Sequence, residues 1–204
     1  MALLSKAVIK TWLDKDFPDR LVITPILDPE VQIDEGAVDL RLGTTFILTR
    51  KAELEMVDAT REGIEANIQR YQTRVAKRLG EKFVLHPSEL VLGVTLEYLS
   101  FPAQLGGYVL TRSSWGRLGL IIATATFVNP GFKGCLTLEL LNLGEAPIVL
   151  YPGIRVAQLV LHGVEVGKEP GSHKGRYQWA TEPEFSRIYA DKELRVWAAR
   201  EKAE

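Results

Sequence analysis

From residue 83 onward, short apolar runs follow one another with turn residues between them. Residues 83–85, 90–99, 105–111, 118–125, 135–142, 148–150 and 156–166 are rich in Val, Ile, Leu, Thr and aromatic side chains. The breaks between them fall at His86-Pro87, Phe101-Pro102, Asn129-Pro130-Gly131, Leu143-Gly144-Glu145 and Tyr151-Pro152-Gly153. Short strands punctuated by Gly and Pro predict a sandwich or barrel rather than a βαβ fold. Upstream, residues 36–43 alternate apolar and charged positions and 44–49 continue the run, which predicts a further strand. Ser5 is placed to cap a short helix whose apolar face is Val8, Ile9, Trp12 and Leu13. In the charged stretch 51–80, Ile64, Ile68, Tyr71, Val75 and Leu79 recur at three- or four-residue spacing, which favours an amphipathic helix over a solvated excursion. Residues 182–202 again read as helical, with Phe185, Ile188, Tyr189 and Trp197 as docking residues.

The 204-residue length fits one domain with an appendage. We divide it into a β domain over 1–166, interrupted by the excursion at 51–80, and a loop plus helical tail over 167–204. Hydrophobic residues make up 46% and charged residues 25%, which excludes disorder along the whole chain. A net charge of -1 gives no broad basic field, so nucleic acid is not an expected partner. A small anion needs only a local arginine cluster and stays open. No apolar run is long enough to span a bilayer, and the N-terminus lacks a long apolar segment, so a cytoplasmic protein is expected. The single cysteine, Cys135, sits in a strand-like run and reads as a packing residue.

Four stretches carry candidate chemistry. Arg112-Ser113-Ser114-Trp115-Gly116-Arg117 follows an apolar strand and puts two guanidinium groups and two hydroxyls within six residues. Such a segment suits an oxyanion, although a solvated polar turn has the same composition. In the run from Leu136 to Leu141, alternation puts Leu136, Leu138 and Leu140 on one face and Thr137, Glu139 and Leu141 on the other. A partly buried Glu139 would have a raised pKa suited to proton shuttling; an exposed Glu139 would be a cross-strand charge partner. The turn Asn129-Pro130-Gly131-Phe132 displays an amide and a ring that fit a sugar, or is simply a hairpin turn. Lys174-Gly175-Arg176-Tyr177 could fold over phosphates or remain a solvated linker. The three histidines are isolated, and no His-x-Glu with Pro-Cys-x-x-Cys appears, which excludes the zinc deaminase arrangement. Phosphate-loop, dinucleotide-turn and Gly-x-Ser-x-Gly motifs are also absent.

Taken in order, these segments resemble the dCTP deaminase family. The matching residues are Val38-Asp39-Leu40-Arg41-Leu42-Gly43, Phe83-Val84-Leu85-His86-Pro87, Arg112-Ser113-Ser114 with Arg117-Leu118-Gly119-Leu120, and Thr124-Ala125 with Pro130-Gly131-Phe132 and Gly134. They continue through Leu138-Glu139-Leu140 with Asn142, Pro152-Gly153 with Gln158-Leu159, and Arg176-Tyr177 with Ser186-Arg187. The superfamily also holds the trimeric dUTP pyrophosphatases. The resemblance implies a mainly β fold, a distorted β-barrel or jelly roll of the dUTPase-like type, with a short N-terminal helix and peripheral helices. It further implies a homotrimer with sites between subunits, a deoxynucleoside triphosphate as substrate, and magnesium carried by the triphosphate, without zinc.

By position, the resemblance makes Glu139 the general base for hydrolytic deamination of dCTP to dUTP and ammonia. Ser113 and Arg117 would orient water, base and glutamate. Arg112, Ser114, Arg176 and Tyr177 would hold phosphates, and Asn129 and Phe132 would face the deoxyribose. Thr124 and Ala125 would read the base edge, and Gln158 would belong to the substrate-binding set. Three departures stand out. Asn129 replaces the family's usual Asp before Pro-Gly, which argues against strong dUTP hydrolysis because an amide is a poor base. The segment 120–124 is one residue short and lacks the family's histidine. A glutamine expected near Ala180 is missing. Diphosphate release from dUTP or dCTP, or nucleotide binding without turnover, are the competing activities.

Overall fold

The structure is a computed structural model and describes residues 3–49, 56–61, 63–123, 127–165 and 175–201. Its elements follow chain order as α1 (Lys6–Leu13), β1 (Val22–Thr24), α2 (Pro29–Gln32), β2 (Ala37–Arg41), β3 (Thr45–Thr49), α3 (Ile64–Tyr71), β4 (Gln72–Ala76), β5 (Phe83–Leu85) and β6 (Leu90–Ser100). They continue as β7 (Leu105–Thr111), α4 (Ser113–Gly116), β8 (Leu120–Ile122), β9 (Phe127–Val128), β10 (Lys133–Asn142), β11 (Ile148–Leu150), β12 (Arg155–Gly163), a 3₁₀ turn (Ile188–Ala190) and α5 (Lys192–Glu201).

Among the described residues, all the strand pairs are antiparallel and fall into three sheets. One runs β4-β3-β6-β10-β8, with β1 also on β6; a second runs β2-β12-β7-β9; the third is β5 with β11. The mainly β expectation therefore holds, in a jelly-roll-like arrangement of sheets that do not close into a continuous barrel. The inward faces of all three sheets share one core. Leu40 and Leu42, Phe46, Leu85, Leu99 and Leu105, Leu138 and Leu140, and Leu159 and Leu161 are fully buried there. Phe46 and Phe83 stack at 4.2 Å between ring centroids, tying the large sheet to the two-stranded one.

Two features of this frame place the site. The first is the alternation along β10: Leu136, Leu138 and Leu140 are buried while Thr137, Glu139 and Leu141 are only half-buried, as the sequence predicts. The second is a bulge in β12, where Arg155 pairs with Arg41 and Ala157 with Leu40, so that Val156 is an extra residue.

The structure corrects the helix expected over 51–80. Residues 50–55 and 62 lie outside the described set, and only α3 is helical; β4 follows it at once and pairs along β3 from Thr49↔Gln72 to Thr45↔Ala76. The reason is arithmetical. Tyr71, Val75 and Leu79 are four apart, and four is a multiple of the strand period as well as near the helical one. Thr73 and Val75 are β-branched and favour the strand, and Val75 packs on the core while Leu79 stays exposed. The expected strand over 118–125 begins only at β8, because Gly119 turns the chain at φ +96°, and its last two positions lie outside the described residues. In the tail, only the 3₁₀ turn and α5 are helical within 182–201.

At the other end of the chain, α1 starts after Ser5 as expected, but the Ser5 side chain makes no capping hydrogen bond. Ile9 is buried, Trp12 and Leu13 pack on the core, and Val8 is exposed. Among the described residues no helix is long and apolar enough to cross a membrane.

Candidate active site

β10 carries Glu139 opposite Leu92 of β6, on the half-buried face. That face opens into a cavity of about 660 Å³. Its walls are Leu90 and Leu92 of β6, Phe127 of β9, Asn129 and Phe132 of the following turn, Thr137 and Glu139 of β10, and Arg176 and Tyr177 of the tail. Most of the lining is apolar. Burial raises the Glu139 carboxyl above its ordinary value, which makes it a better proton acceptor near neutral pH.

The turn that brings in Asn129 and Phe132 is dictated locally. Pro130 sits at its second position, Gly131 at its third with φ +77°, and the Phe132 N–H donates to the Asn129 carbonyl at 3.1 Å. This is type II turn chemistry, which requires a residue free to take positive φ after the proline. Phe132 is buried, and Asn129 stays half-exposed at the cavity wall.

The tail closes the cavity by adding to the start of β10. The Trp179 N–H donates to Lys133 O and the Cys135 N–H to Ala180 O, both at 2.6 Å, while the Lys133 N–H donates to Gln178 Oε1 at 2.9 Å. Gly134 makes the approach possible: a Cβ there would sit 2.9 Å from Ala180 O, and its φ is +140°. Further along, Arg187 donates to the Arg176 carbonyl and pairs with Glu184, and its own N–H donates to the Tyr177 hydroxyl. Arg176 in turn pairs with Asp191 at 2.5 Å.

Arg112, Ser114 and Trp115 are elsewhere. With Arg41, Ile154 and Arg155 they line a separate cleft of about 490 Å³. Arg112 is the residue before the single turn α4, which contains Ser113 and Ser114 and is followed by Arg117; Ser113, Ser114 and Arg117 are exposed. Within one chain, then, the structure gathers Glu139, Asn129, Phe132, Arg176 and Tyr177 in one cavity and Arg112 with Ser114 in another. Ser113 and Arg117 line neither, and Gln158, half-buried in β12 opposite Asp39 and Leu110, also lines neither. Thr124 and Ala125 lie outside the described residues.

Other polar residues of note are buried. Glu97 has no exposed surface; its Oε2 accepts from the Arg41 N–H at 2.8 Å and its Oε1 from Gln32 Nε2 at 3.1 Å. Burial pushes its carboxyl up to about 7. Cys135 is buried on the cavity wall with its thiol pushed up to about 11, mainly by burial, and so is no nucleophile at neutral pH. Asp39, Gln32, Arg41 and Arg155 were not marked as site residues by the sequence. Asp39 and Arg41 fall within the matched segment 38–43, but their contacts with Arg155 and Gln32 need the register of β2 on β12 and the placement of α2. Among the described residues, no three His, Cys, Asp or Glu side chains gather closely enough to hold a metal ion.

Residues 3–164 match the dCTP deaminase-like family, and the chain belongs to it. It is 40% identical over 196 residues to the dCTP deaminase of Natronomonas pharaonis, covering 94% of this chain and 97% of that one. It is 39% identical over 200 residues to the dUMP-forming dCTP deaminase of Methanobrevibacter smithii, covering 96% and 100%. Among solved structures it is similar to the crystal structure of 2′-deoxycytidine 5′-triphosphate deaminase from Agrobacterium tumefaciens, with a TM-score of 0.57 and 25% identity. That match covers 78% of this chain and 45% of the longer Agrobacterium chain.

Proposed function

We propose that the protein deaminates dCTP hydrolytically to dUTP and ammonia, without zinc, with Glu139 as the general base. The observation that carries this is Glu139 itself: a half-buried carboxylate with a raised pKa, facing a cavity that also holds Asn129, Phe132, Arg176 and Tyr177. Glu139 takes a proton from water as the water oxygen bonds to C4 of the cytosine ring. It gives that proton to N3, then takes the second proton from the new C4 hydroxyl and delivers it to the amine, so that the C4 carbonyl forms, the C4–N bond breaks and ammonia leaves. Asn129 holds the 3′-hydroxyl and Phe132 packs on the deoxyribose. Arg176 and Tyr177 take phosphate oxygens, with Arg176 exchanging its Asp191 partner for the substrate. Thr124 and Ala125 read the base edge, and Gln158 completes the substrate-binding set. Magnesium would come with the triphosphate and would neutralise part of its charge.

Arg112, Ser113, Ser114 and Arg117 complete the site from a neighbouring copy in a homotrimer. The separation of the two clefts within one chain supports this reading. In the assembled site, Ser113 and Arg117 orient the water and Glu139, while Arg112 and Ser114 hold phosphates. A second reading is favoured by the names of several relatives, including the one from Methanobrevibacter smithii: release of dUMP. Asn129 weighs against it, because an amide does not activate water for attack on a phosphate. Chromatography of products from dCTP and from dUTP separates the two. We expect dUTP to accumulate from dCTP and dUTP to persist when supplied. Formation of dUMP and pyrophosphate without prior dUTP would overturn the assignment.

A further inference from the structure

The charged excursion before β5 and the chain beyond Arg187 take no part in the reaction as proposed, yet both reach the face of the large sheet that carries Glu139. Glu139 of β10 stands opposite Leu92 of β6, Leu92 opposite Ile47 of β3, and Ile47 opposite Arg74 of β4. Directly opposed residues share a face, so these four form one row across the sheet. At a strand spacing of about 4.8 Å, Arg74 stands about 14 Å from Glu139 along that row. Phe46 and Leu48, the chain neighbours of Ile47, pack into the main core, so Ile47 points to the opposite face. It nevertheless has no exposed surface.

α3 and the tail border this face. Ile64 and Ile68 of α3 are buried outside the main core, and Ile68, Arg74 and Phe185 line one small cavity of about 180 Å³. Arg74 holds the tail in three ways. Its Nη1 donates to Glu182 Oε2 at 2.7 Å, its Nη2 donates to Pro183 O at 3.2 Å, and its guanidinium carbon lies 5.4 Å from the centroid of the Phe185 ring. Further along the tail, the Tyr189 hydroxyl hydrogen-bonds the Glu65 carboxylate of α3. Between these anchors the tail is bonded to the site and to itself. The Glu184 N–H donates to Thr137 Oγ1 at 3.3 Å, on the same face of β10 as Glu139. The Arg187 N–H donates to the Tyr177 hydroxyl at 3.0 Å, and Arg187 Nη1 donates to Arg176 O at 2.6 Å. Arg176 and Tyr177 are thus fastened to a segment that Arg74 and Glu65 fasten to the excursion.

We propose that α3 and β4 are the dock of the tail, and that Arg74 is a positioning residue that keeps Arg176 and Tyr177 over the cavity of Glu139. The second part rests on the reading of Arg176 and Tyr177 as phosphate-binding residues. An exposed ion pair alone is weak. Here one guanidinium combines an ion pair, a carbonyl bond and a ring contact, which its planar fork can make together. Without the dock the tail spends part of its time open, and affinity for the nucleotide falls in proportion to the fraction that stays closed. The chemistry at C4 is unaltered in closed molecules, so the loss falls on KM rather than on kcat.

The test uses the whole protein with Arg74→Glu, Glu182→Arg and the two changes combined. Hydrogen exchange without nucleotide is read at the amides of Trp179, Glu184 and Arg187, each of which is bonded in the closed tail. Steady-state kinetics with dCTP are read beside it. We expect each single change to speed exchange at these amides about tenfold and to raise the KM for dCTP about three- to tenfold, with kcat within about twofold of the parent. The combined variant restores the ion pair with its charges exchanged, and should improve on Arg74→Glu about threefold in both readouts. Amides of β6 should exchange as in the parent. If they quicken in Arg74→Glu, that variant is misfolded, and Glu182→Arg, changed in the tail itself, decides alone. Unchanged tail exchange would overturn the dock, and faster tail exchange with unchanged KM would overturn the positioning role. If the unaltered protein does not turn over dCTP, the activity reading fails, and the exchange measurement still decides the dock.

Discussion

The buried carboxyl of Glu97 gives the sharpest prediction about the fold, and its sign is opposite to that of most acidic groups. Its carboxyl value is about 7 in the folded protein against 4.5 for an ordinary glutamate. Burial dominates, outweighing the lowering by the Arg41 N–H and Gln32. The folded state therefore holds this proton more tightly than the unfolded chain. Its contribution to stability is complete below about pH 4.5, declines as the pH rises, and is lost above about 7. At about 1.4 kcal/mol per pH unit, that interval corresponds to about 3 kcal/mol. Glu97→Gln cannot titrate, but its single carbonyl oxygen can meet only one of the two donors now on the carboxyl, a cost of about 1–3 kcal/mol at every pH. Urea unfolding of both proteins at fixed protein concentration, from pH 4.5 to 8, isolates the effect as the difference between the two curves. The advantage of the parent over the variant should shrink by about 3 kcal/mol across that range. A difference that stays flat with pH would refute the reasoning, because Glu97 would then not be titrating in the folded protein.

Other consequences follow from the same physical grounds. Asn142 is fully buried, donates to Leu85 O at 3.0 Å and Ala146 O at 2.9 Å, and accepts from the Gly144 N–H at 2.9 Å. Asn142→Ala should cost about 2–4 kcal/mol, read from the urea midpoint. Gly119→Ala adds a Cβ 2.5 Å from Gly144 N at a φ of +96°. It should lower the midpoint by more than the roughly 1 kcal/mol of an ordinary left-handed position; an unchanged midpoint would mean the corner can open freely. Because burial raises Glu139 and the base must be ionised to act, kcat/KM should rise with pH through a limb above the ordinary glutamate range. A limb near pH 4 would contradict a buried base.

Much of the β framework was legible because period-two patterning and Gly-Pro turns are local signals. β5, β7 and β11 match their expected ranges, and β6 and β10 differ at their ends by one or two residues. The hairpin of β3 with β4 was not legible, since residues spaced four apart satisfy strand and helix alike. β1 and β9 were too short to carry a pattern, with three and two residues. For the site, alternation along β10 was enough to predict that Glu139 shares a face with Thr137, and the Pro-Gly turn showed where Asn129 and Phe132 would emerge. The resemblance grouped Arg112 through Arg117 with Glu139, but within one chain Arg112 and Ser114 line a different cleft and Ser113 and Arg117 line neither. Asp39 and Arg41 stand in one matched segment and Arg112 in another, but the contacts of Asp39 with Arg112 and Arg155 were not legible, because they join distant parts of the chain through the β2–β12 and β7–β12 registers.

The central claim is that Glu139 is the base that removes the amine of dCTP. Parent and Glu139→Gln proteins should be compared for dCTP binding by equilibrium dialysis and for ammonia released into solution. The parent should form ammonia and dUTP in equal amounts. The variant should bind dCTP within a few-fold of the parent and release ammonia at least about a hundredfold more slowly, as expected for loss of a general base. Undiminished ammonia release from Glu139→Gln would contradict it.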